Sequence, residues 1–479
     1  MTNRVSASTG LLIHGGPPAS QAVDVRNPAD TAHVVATYPL LGPAHVDAAV
    51  EAAHGAQPEW ASCTAAQRLK ALRAAADEIA AIPDLAQTLV REQGKVLAEA
   101  GMEAGYYGAA VESFAPYADW LDRDEDVVTG PMGHFVVHNG PVGVAGLISP
   151  SNWPVSLSLL KLVPALLAGN GAILVPAPTT PLAITEVVRV LSRHLPDGLV
   201  SVLTSPDTQV ARRLVEHPGV PAISFTGGTR TGASVGAVAG GLFKRVTLEL
   251  GGNDAALILA GQPIDEALIG GLMLGAFLTA GQVCMAIKRI YAPADMIAPL
   301  AQALGAALDQ SVTGDGLDPA STLGPLHTAA QTTRLAGLIA EARAAGADVR
   351  ECGTMTGDPA RGHFVRPSVA VNVPPQARLV QEEQFAPCLP LVGYDDLDQA
   401  IAMVNDSPYG LCSSVWSPDV DRAAALALQI EAGVTYVNSH LTHDLAAPFG
   451  GVKNSGVGRE YGAHGVRSFT EPHTIRLPA

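Results

Sequence analysis

The chain has 479 residues, 48% of them hydrophobic and only 15% charged, with a formal net charge of −16. At roughly 150 residues per domain this length suggests two or three domains, and so long and apolar a chain buries its cores without disulfides or metal. The composition excludes disorder, and the negative charge excludes a nucleic-acid partner, because phosphate contacts need clustered Lys and Arg.

The first third reads as mainly helical. Leu69, Leu72, Ala76 and Ile79 share one helical face ahead of Pro83, and a second helical stretch covers about Asp84 to Leu121 with internal glycines. After about Asp122 the pattern changes. His134–Val137, Val142–Ile148, Ala172–Val175, Leu199–Leu203, Ala222–Phe225 and Val246–Glu249 read as strands, with helix-length segments such as Pro181–His194 and Thr208–Glu216 between the later ones. Such alternation predicts a parallel sheet covered by helices, with ligands at the carboxyl ends of its strands. A second α/β region follows from about Gly251 to Ser439. Its helical patterns lie near Asp265–Leu278, Pro293–Gln310 and Ala329–Ala345, and its strands at Arg289–Ala292, Leu389–Tyr394, Leu411–Val415 and Thr435–Val437. Ser468–Leu477 is strand-like.

Five widely spaced cysteines, Cys63, Cys284, Cys352, Cys388 and Cys412, include no C-x-x-C and no Cys/His cluster of zinc-like spacing, so no metal site is expected. Scattered thiols suit a reducing cytosol. Residues 1–10 lack an apolar run of signal-peptide length, and no apolar stretch reaches bilayer length. A cytoplasmic protein with no membrane association is expected.

Four places can carry chemistry. Phe225-Thr-Gly-Gly-Thr-Arg-Thr-Gly232 follows a strand and opens a helix, so it reads either as a phosphate cradle or as a plain tight turn; it meets neither common nucleotide fingerprint. Glu249 closes a strand before Gly251-Gly252 and reads as a general base or as a solvent-facing strand end. Cys284, in Gly281-Gln-Val-Cys284, is a nucleophile or an inert buried thiol. Asn152, in Pro150-Ser-Asn-Trp-Pro154, is an amide donor at the sheet's binding edge or ordinary turn chemistry. Taken together, a thiol, an amide donor, a carboxylate and a phosphate cradle are the parts needed to oxidise an aldehyde to an acid.

The sequence resembles the aldehyde dehydrogenase superfamily over nearly its whole length. The resemblance rests on Gly140-Pro-Val-Gly-Val-Ala-Gly-Leu-Ile-Ser-Pro-Ser-Asn-Trp-Pro154, Phe225–Gly232, Leu248-Glu-Leu-Gly-Gly252, Gly281-Gln-Val-Cys284, Glu382-Glu-Gln-Phe-Ala-Pro387 and Pro448-Phe-Gly-Gly-Val-Lys-Asn-Ser-Gly456. It implies an α/β fold with a Rossmann-like cofactor domain, an α/β catalytic domain and a small β oligomerisation hairpin. The corresponding spans are 1–121 with 141–250 for cofactor, 251–445 for catalysis, and 122–140 with 462–479 for oligomerisation. It further implies NAD or NADP as cofactor, a small aldehyde as substrate, and a homodimer or homotetramer.

For the site, the resemblance implies Cys284 as nucleophile, Glu249 as general base, and Asn152 with the Cys284 backbone N–H as oxyanion donors. Lys161 and Glu460 match a proton relay behind the base, or else an ordinary buried ion pair. Cofactor-binding positions are Ile148, Val175, Gly227, Gly228, Gly232, Leu250, Glu383 and Phe385. Met285, Phe277 and the His440–Leu445 segment are candidates for the substrate wall.

The chain departs from the family where the adenosine ribose is held. Val175 stands for a lysine and Pro178 for a glutamate, which removes side-chain hydrogen bonds and weakens cofactor binding by roughly 1–3 kcal/mol unless other groups compensate. Ser151 replaces a Trp, Gly228 a Ser and Thr279 an Asn. That erosion motivates an alternative, a non-redox, esterase-like thiol catalyst.

Overall fold

The computed structural model describes residues 12–478 apart from 15, 20 and 131; residues 1–10, which the sequence reads as free of a signal peptide, lie outside the described residues. Among the described residues no helix is long and apolar enough to cross a membrane.

The strands Val144–Ile148, Gly171–Val175 and Ala222–Thr226 are buried at every position. Continuous apolar runs of this kind belong in a parallel sheet covered on both faces. The sheet has six strands in the order Gly456–Val457, Arg245–Glu249, Ala222–Thr226, Val144–Ile148, Gly171–Val175, Val200–Val202. All neighbours are parallel except Gly456–Val457, which runs antiparallel to Arg245–Glu249. Chain order reverses between Val144–Ile148 and Ala222–Thr226, and the loops leaving two such strands diverge to open a crevice. The helix Pro154–Leu167 starts at a proline, is buried everywhere except Leu157, and so carries Lys161 into the interior.

The second sheet has seven strands, ordered Asp348–Glu351, Ser368–Val371, Cys388–Tyr394, Ile287–Pro293, Asp254–Ile258, Cys412–Trp416, Val434–Val437. Only its Asp348–Glu351 edge is antiparallel. A third sheet pairs Glu125–Gly130 with Gly133–Pro141 and that strand with Thr470–Leu477, all antiparallel.

The first third is mainly helical, with one hairpin, Ala22–Asn27 and Asp30–Pro39, ahead of the 20-residue helix Pro43–Ser62. The stretch from Asp84 to Leu121 is several helices, Leu85–Gln93, Leu97–Ala104, Tyr106–Phe114 and Ala118–Leu121. The first break is at Gly94, whose φ of 103° is left-handed and ends the helix. In the last turn of that helix the Glu92 carboxylate accepts from the Leu182 and Ala183 N–H groups at 2.8 and 3.0 Å. Burial pushes the Glu92 carboxyl up to about 8 against the pull of those two bonds.

Candidate active site

Loops leaving three strands of the first sheet line one crevice of about 250 Å³. Pro150, Ser151 and Asn152 follow Val144–Ile148, Gly227 and Gly228 follow Ala222–Thr226, and Leu250 and Gly251 follow Arg245–Glu249. Cys284, Glu383 and Phe385 close it from the second sheet's side. Gly228 caps the 13-residue helix Thr229–Gly241, whose first N–H groups have no partner within the helix. A Cβ on Gly228 would meet nothing within 4 Å, so the space over this helix start is open, as a phosphate requires. The Glu383 carboxylate accepts from the Gly252 N–H at 3.1 Å and packs on the bare Cα of Gly251. A helix N-terminus, an open glycine turn and a carboxylate at a strand switch point fit a dinucleotide.

Three predicted cofactor positions lie outside this crevice. Ile148 and Val175 pair in register at the carboxyl edge of the sheet, and both are buried. At Gly232 a Cβ would collide with the Leu250 side chain, so this glycine lets the helix pack on the strand end and carries Leu250 to the crevice wall.

Cys284 follows an unusual turn. After the helix Glu266–Phe277, Thr279, Ala280 and Gly281 take φ of 52°, 53° and 73°. Left-handed backbone costs a non-glycine residue about 1–2 kcal/mol, so neighbours must hold it. Glu99 accepts from the Thr279 N–H at 2.8 Å, and Thr279 Oγ1 accepts from the Trp153 indole at 3.1 Å. Gln282 Nε2 donates to the Thr279 and Pro325 carbonyls, while its Oε1 accepts from the His327 N–H. Asn152 Nδ2 donates to the Gln282 carbonyl at 3.0 Å, which ties the amide to the cysteine loop. On the far side, the buried Lys288 Nζ donates to the carbonyls of Val283, Cys284 and Ala286 at 2.7, 2.7 and 3.0 Å. Sequence reasoning singled out neither Glu99, Gln282 nor Lys288. The one available signal was a lysine four residues after the thiol.

The Cys284 thiol is half-buried. Burial pushes it up to about 12; Lys288 opposes the rise, and Glu383 and Glu249 add to it. Glu249 is buried at the end of its strand, and neither carboxylate oxygen has a protein partner. Burial and then the charge of Glu460 raise it well above the usual carboxylate range. Lys161 Nζ donates to Glu460 and to Ser224 Oγ (2.9 Å), and Ser224 donates to Glu460 at 3.0 Å. Lys161, Ser224 and Glu460 thus form a buried polar chain behind Glu249.

A second cavity of about 250 Å³ lies on the other side of the thiol and shares Asn152, Thr226 and Cys284 with the first. Its wall comes from the helix Pro154–Leu167, the cysteine loop and residues 441–461. Of the substrate-wall candidates, Met285, Leu441, His443 and Leu445 face it, whereas Phe277 and His440 are buried elsewhere. Trp153, Leu157, Phe449 and Tyr461 complete the wall without having been foreseen.

A thiol and an amide thus stand at the junction of two cavities, with an unpartnered carboxylate on the wall of the second. A sequence model of the "Aldehyde dehydrogenase family" matches residues 17–475, and the chain belongs to that family. It is 34% identical over 453 residues to a glutarate-semialdehyde dehydrogenase of Pseudomonas putida, covering 94% of this chain and 93% of the relative. It is 33% identical to a geranial dehydrogenase of Castellaniella defragrans, with 96% of each covered. The structure of a Mycobacterium tuberculosis aldehyde dehydrogenase complexed with NAD+ superposes with a TM-score of 0.92, at 35% identity over 99% of both chains. These likenesses confirm the α/β fold with Rossmann-like cofactor and catalytic parts, and they favour NAD(P)-dependent oxidation of an aldehyde over non-redox thiol catalysis.

Proposed function

We propose that Cys284 is the nucleophile of an NAD(P)-dependent, non-acylating aldehyde dehydrogenase. The observation that carries this reading is the convergence of both cavities on Cys284 and Asn152, with unpartnered Glu249 on the wall. NAD(P), held at Gly227, Gly228, Leu250, Glu383 and Phe385, would supply the two-electron acceptor.

Glu249 takes the thiol proton as the Cys284 sulfur adds to the carbonyl carbon, and the Asn152 amide with the Cys284 backbone N–H stabilises the oxyanion; Glu249 must release that proton before it acts again. After oxidation the acid remains on the sulfur as a thioester. Glu249 takes a proton from water, the water oxygen attacks the thioester carbon, and the thiolate leaves. Lys161, Ser224 and Glu460 bond one another, and a water bridging Glu249 to this trio would carry the proton onward. The unpartnered Glu249 oxygens support water as final acceptor, since a base must be free to receive a proton.

The cofactor part comprises residues 1–121 and 141–250, the catalytic part residues 251–445. Residues 122–140 and 462–479 join subunits into a homodimer or homotetramer, which is supported by exposed Val127, Val128, Ile475 and Leu477 on the three-stranded sheet. Five free cysteines support a cytoplasmic setting. The decisive assay follows reduced nicotinamide by absorbance over an aldehyde panel. Wild type turns over, and Cys284→Ala does not; turnover surviving in the variant sinks the mechanism.

A further inference from the structure

We infer that this enzyme takes an uncharged, apolar aldehyde and rejects semialdehydes whose far end is a carboxylate. The inference rests on the dehydrogenase reading above and concerns only the second cavity.

No lysine or arginine lines that cavity. Its only side chains able to carry charge near neutral pH are Glu249, Glu460 and His443, apart from the thiol. The two carboxyl groups lie at its catalytic end, and neither can balance an anion. His443 is the one group on the wall that could gain a positive charge, and burial works against it, opposed by the Ala447 carbonyl 3.1 Å from its Nε2 and by Asp444. Its ring packs against both Phe449 and Tyr461, with centroids at 5.0 and 5.4 Å.

The cations around the cavity are engaged elsewhere: Lys161 with Glu460 and Ser224, Lys288 with the carbonyls of the cysteine loop, and Lys95, whose Nζ sits 3.8 Å from the centroid of the Trp153 ring. The Lys95 side chain is fully buried, it is paired with Glu103, and the indole stands between it and the cavity. The other polar side chains on the wall are neutral: the Asn152 amide, the Trp153 indole and the hydroxyls of Tyr106, Ser156, Thr226 and Tyr461. Ser156 Oγ, buried and without a partner, can bond a neutral oxygen but cannot offset a full charge.

An ω-carboxylate entering this space leaves water for a wall of Leu157, Met285, Leu441, Leu445 and aromatic rings, with two acidic groups ahead of it. An uncompensated buried charge is costly, whereas each buried CH2 of an apolar tail is favourable. The chemistry that fits is a medium-chain aliphatic or an arylalkyl aldehyde.

The test compares hexanal and phenylacetaldehyde with succinic and glutaric semialdehydes, using wild type with NAD+ and with NADP+. Hexanal is expected to exceed either semialdehyde in kcat/KM by about a hundredfold. Leu157→Arg, which puts a cation on the wall, is expected to narrow that ratio at least tenfold. A semialdehyde kcat/KM equal to or above that of hexanal overturns the inference and leaves the dehydrogenase reading standing. If no aldehyde is oxidised, the dehydrogenase reading fails instead. The pocket is then judged by calorimetric binding of hexanal and succinic semialdehyde to Cys284→Ala, where equal or tighter semialdehyde binding overturns the inference.

Discussion

The two cavities that meet at Cys284 are built from different material. The cofactor side consists of strand-end turns, where backbone N–H groups and bare glycine Cα atoms form the surface. The substrate side consists of side chains from separated segments, Trp153 and Leu157 from one, Met285 from another, and Leu441 to Tyr461 from a third. A backbone-built surface tolerates few substitutions: a Cβ at Gly227 would meet Phe225, one at Gly251 would meet Glu383, and one at Gly228 would take up the space left open over the helix start. A side-chain-built surface can be repainted residue by residue without disturbing the strands beneath it. One scaffold can therefore keep a common chemistry while its aldehyde changes.

The contrast is broken most severely at the shared junction. Cys284→Ala is expected to lower kcat by about 10⁴-fold or more, measured by nicotinamide reduction. Asn152→Ala should cost about 10²–10³ in kcat with a small change in the aldehyde KM, because its amide acts on the oxyanion rather than on the bound aldehyde. A larger effect on KM than on kcat would assign Asn152 to substrate binding.

On the cofactor side alone, Glu383→Ala should raise the KM for NAD(P) by about ten- to a hundredfold, the worth of one or two charged hydrogen bonds, with the aldehyde KM unchanged. Val175→Lys restores a donor at the ribose and should lower the NAD(P) KM by up to about tenfold. An unchanged KM would show that other groups already hold the ribose; the Pro178 carbonyl, pinned by the Tyr38 hydroxyl at 3.0 Å, belongs to the same segment.

The smallest effect is on pH dependence. Glu249 is raised above the usual carboxylate range by burial and then by the Glu460 charge, so more of it becomes the ionised base as pH rises. Glu460→Gln removes a negative neighbour and leaves the Lys161 charge, both of which favour ionised Glu249. The rising limb of the kcat–pH profile should therefore move to lower pH. A shift to higher pH would break the assignment of Glu249 as base.

Much of this was legible in the chain. The strands from Val144 to Glu249 are apolar runs bounded by turns, and that pattern located them within one or two residues. Glu249 and Cys284 sit beside glycine turns, and Asn152 and Glu383 sit in short segments that end at a proline, so their motifs are local. Gly232 shows the limit of that reasoning. Its motif suggested a phosphate contact, while the space it leaves is filled by Leu250.

What the sequence by itself determined is the α/β alternation, the order of the motifs and the identity of the reacting groups, because each depends on residues close along the chain. The tertiary structure decided the rest. It set Glu99, 180 residues from Thr279, against the left-handed turn and placed Glu460 on Lys161 across 299 residues. It also buried Lys95 against Glu103 and the Trp153 ring, and tied Lys161 and Lys288 to Glu460 and to the carbonyls of the cysteine loop. Contacts of that kind depend on how packed elements face one another, and no local pattern encodes them.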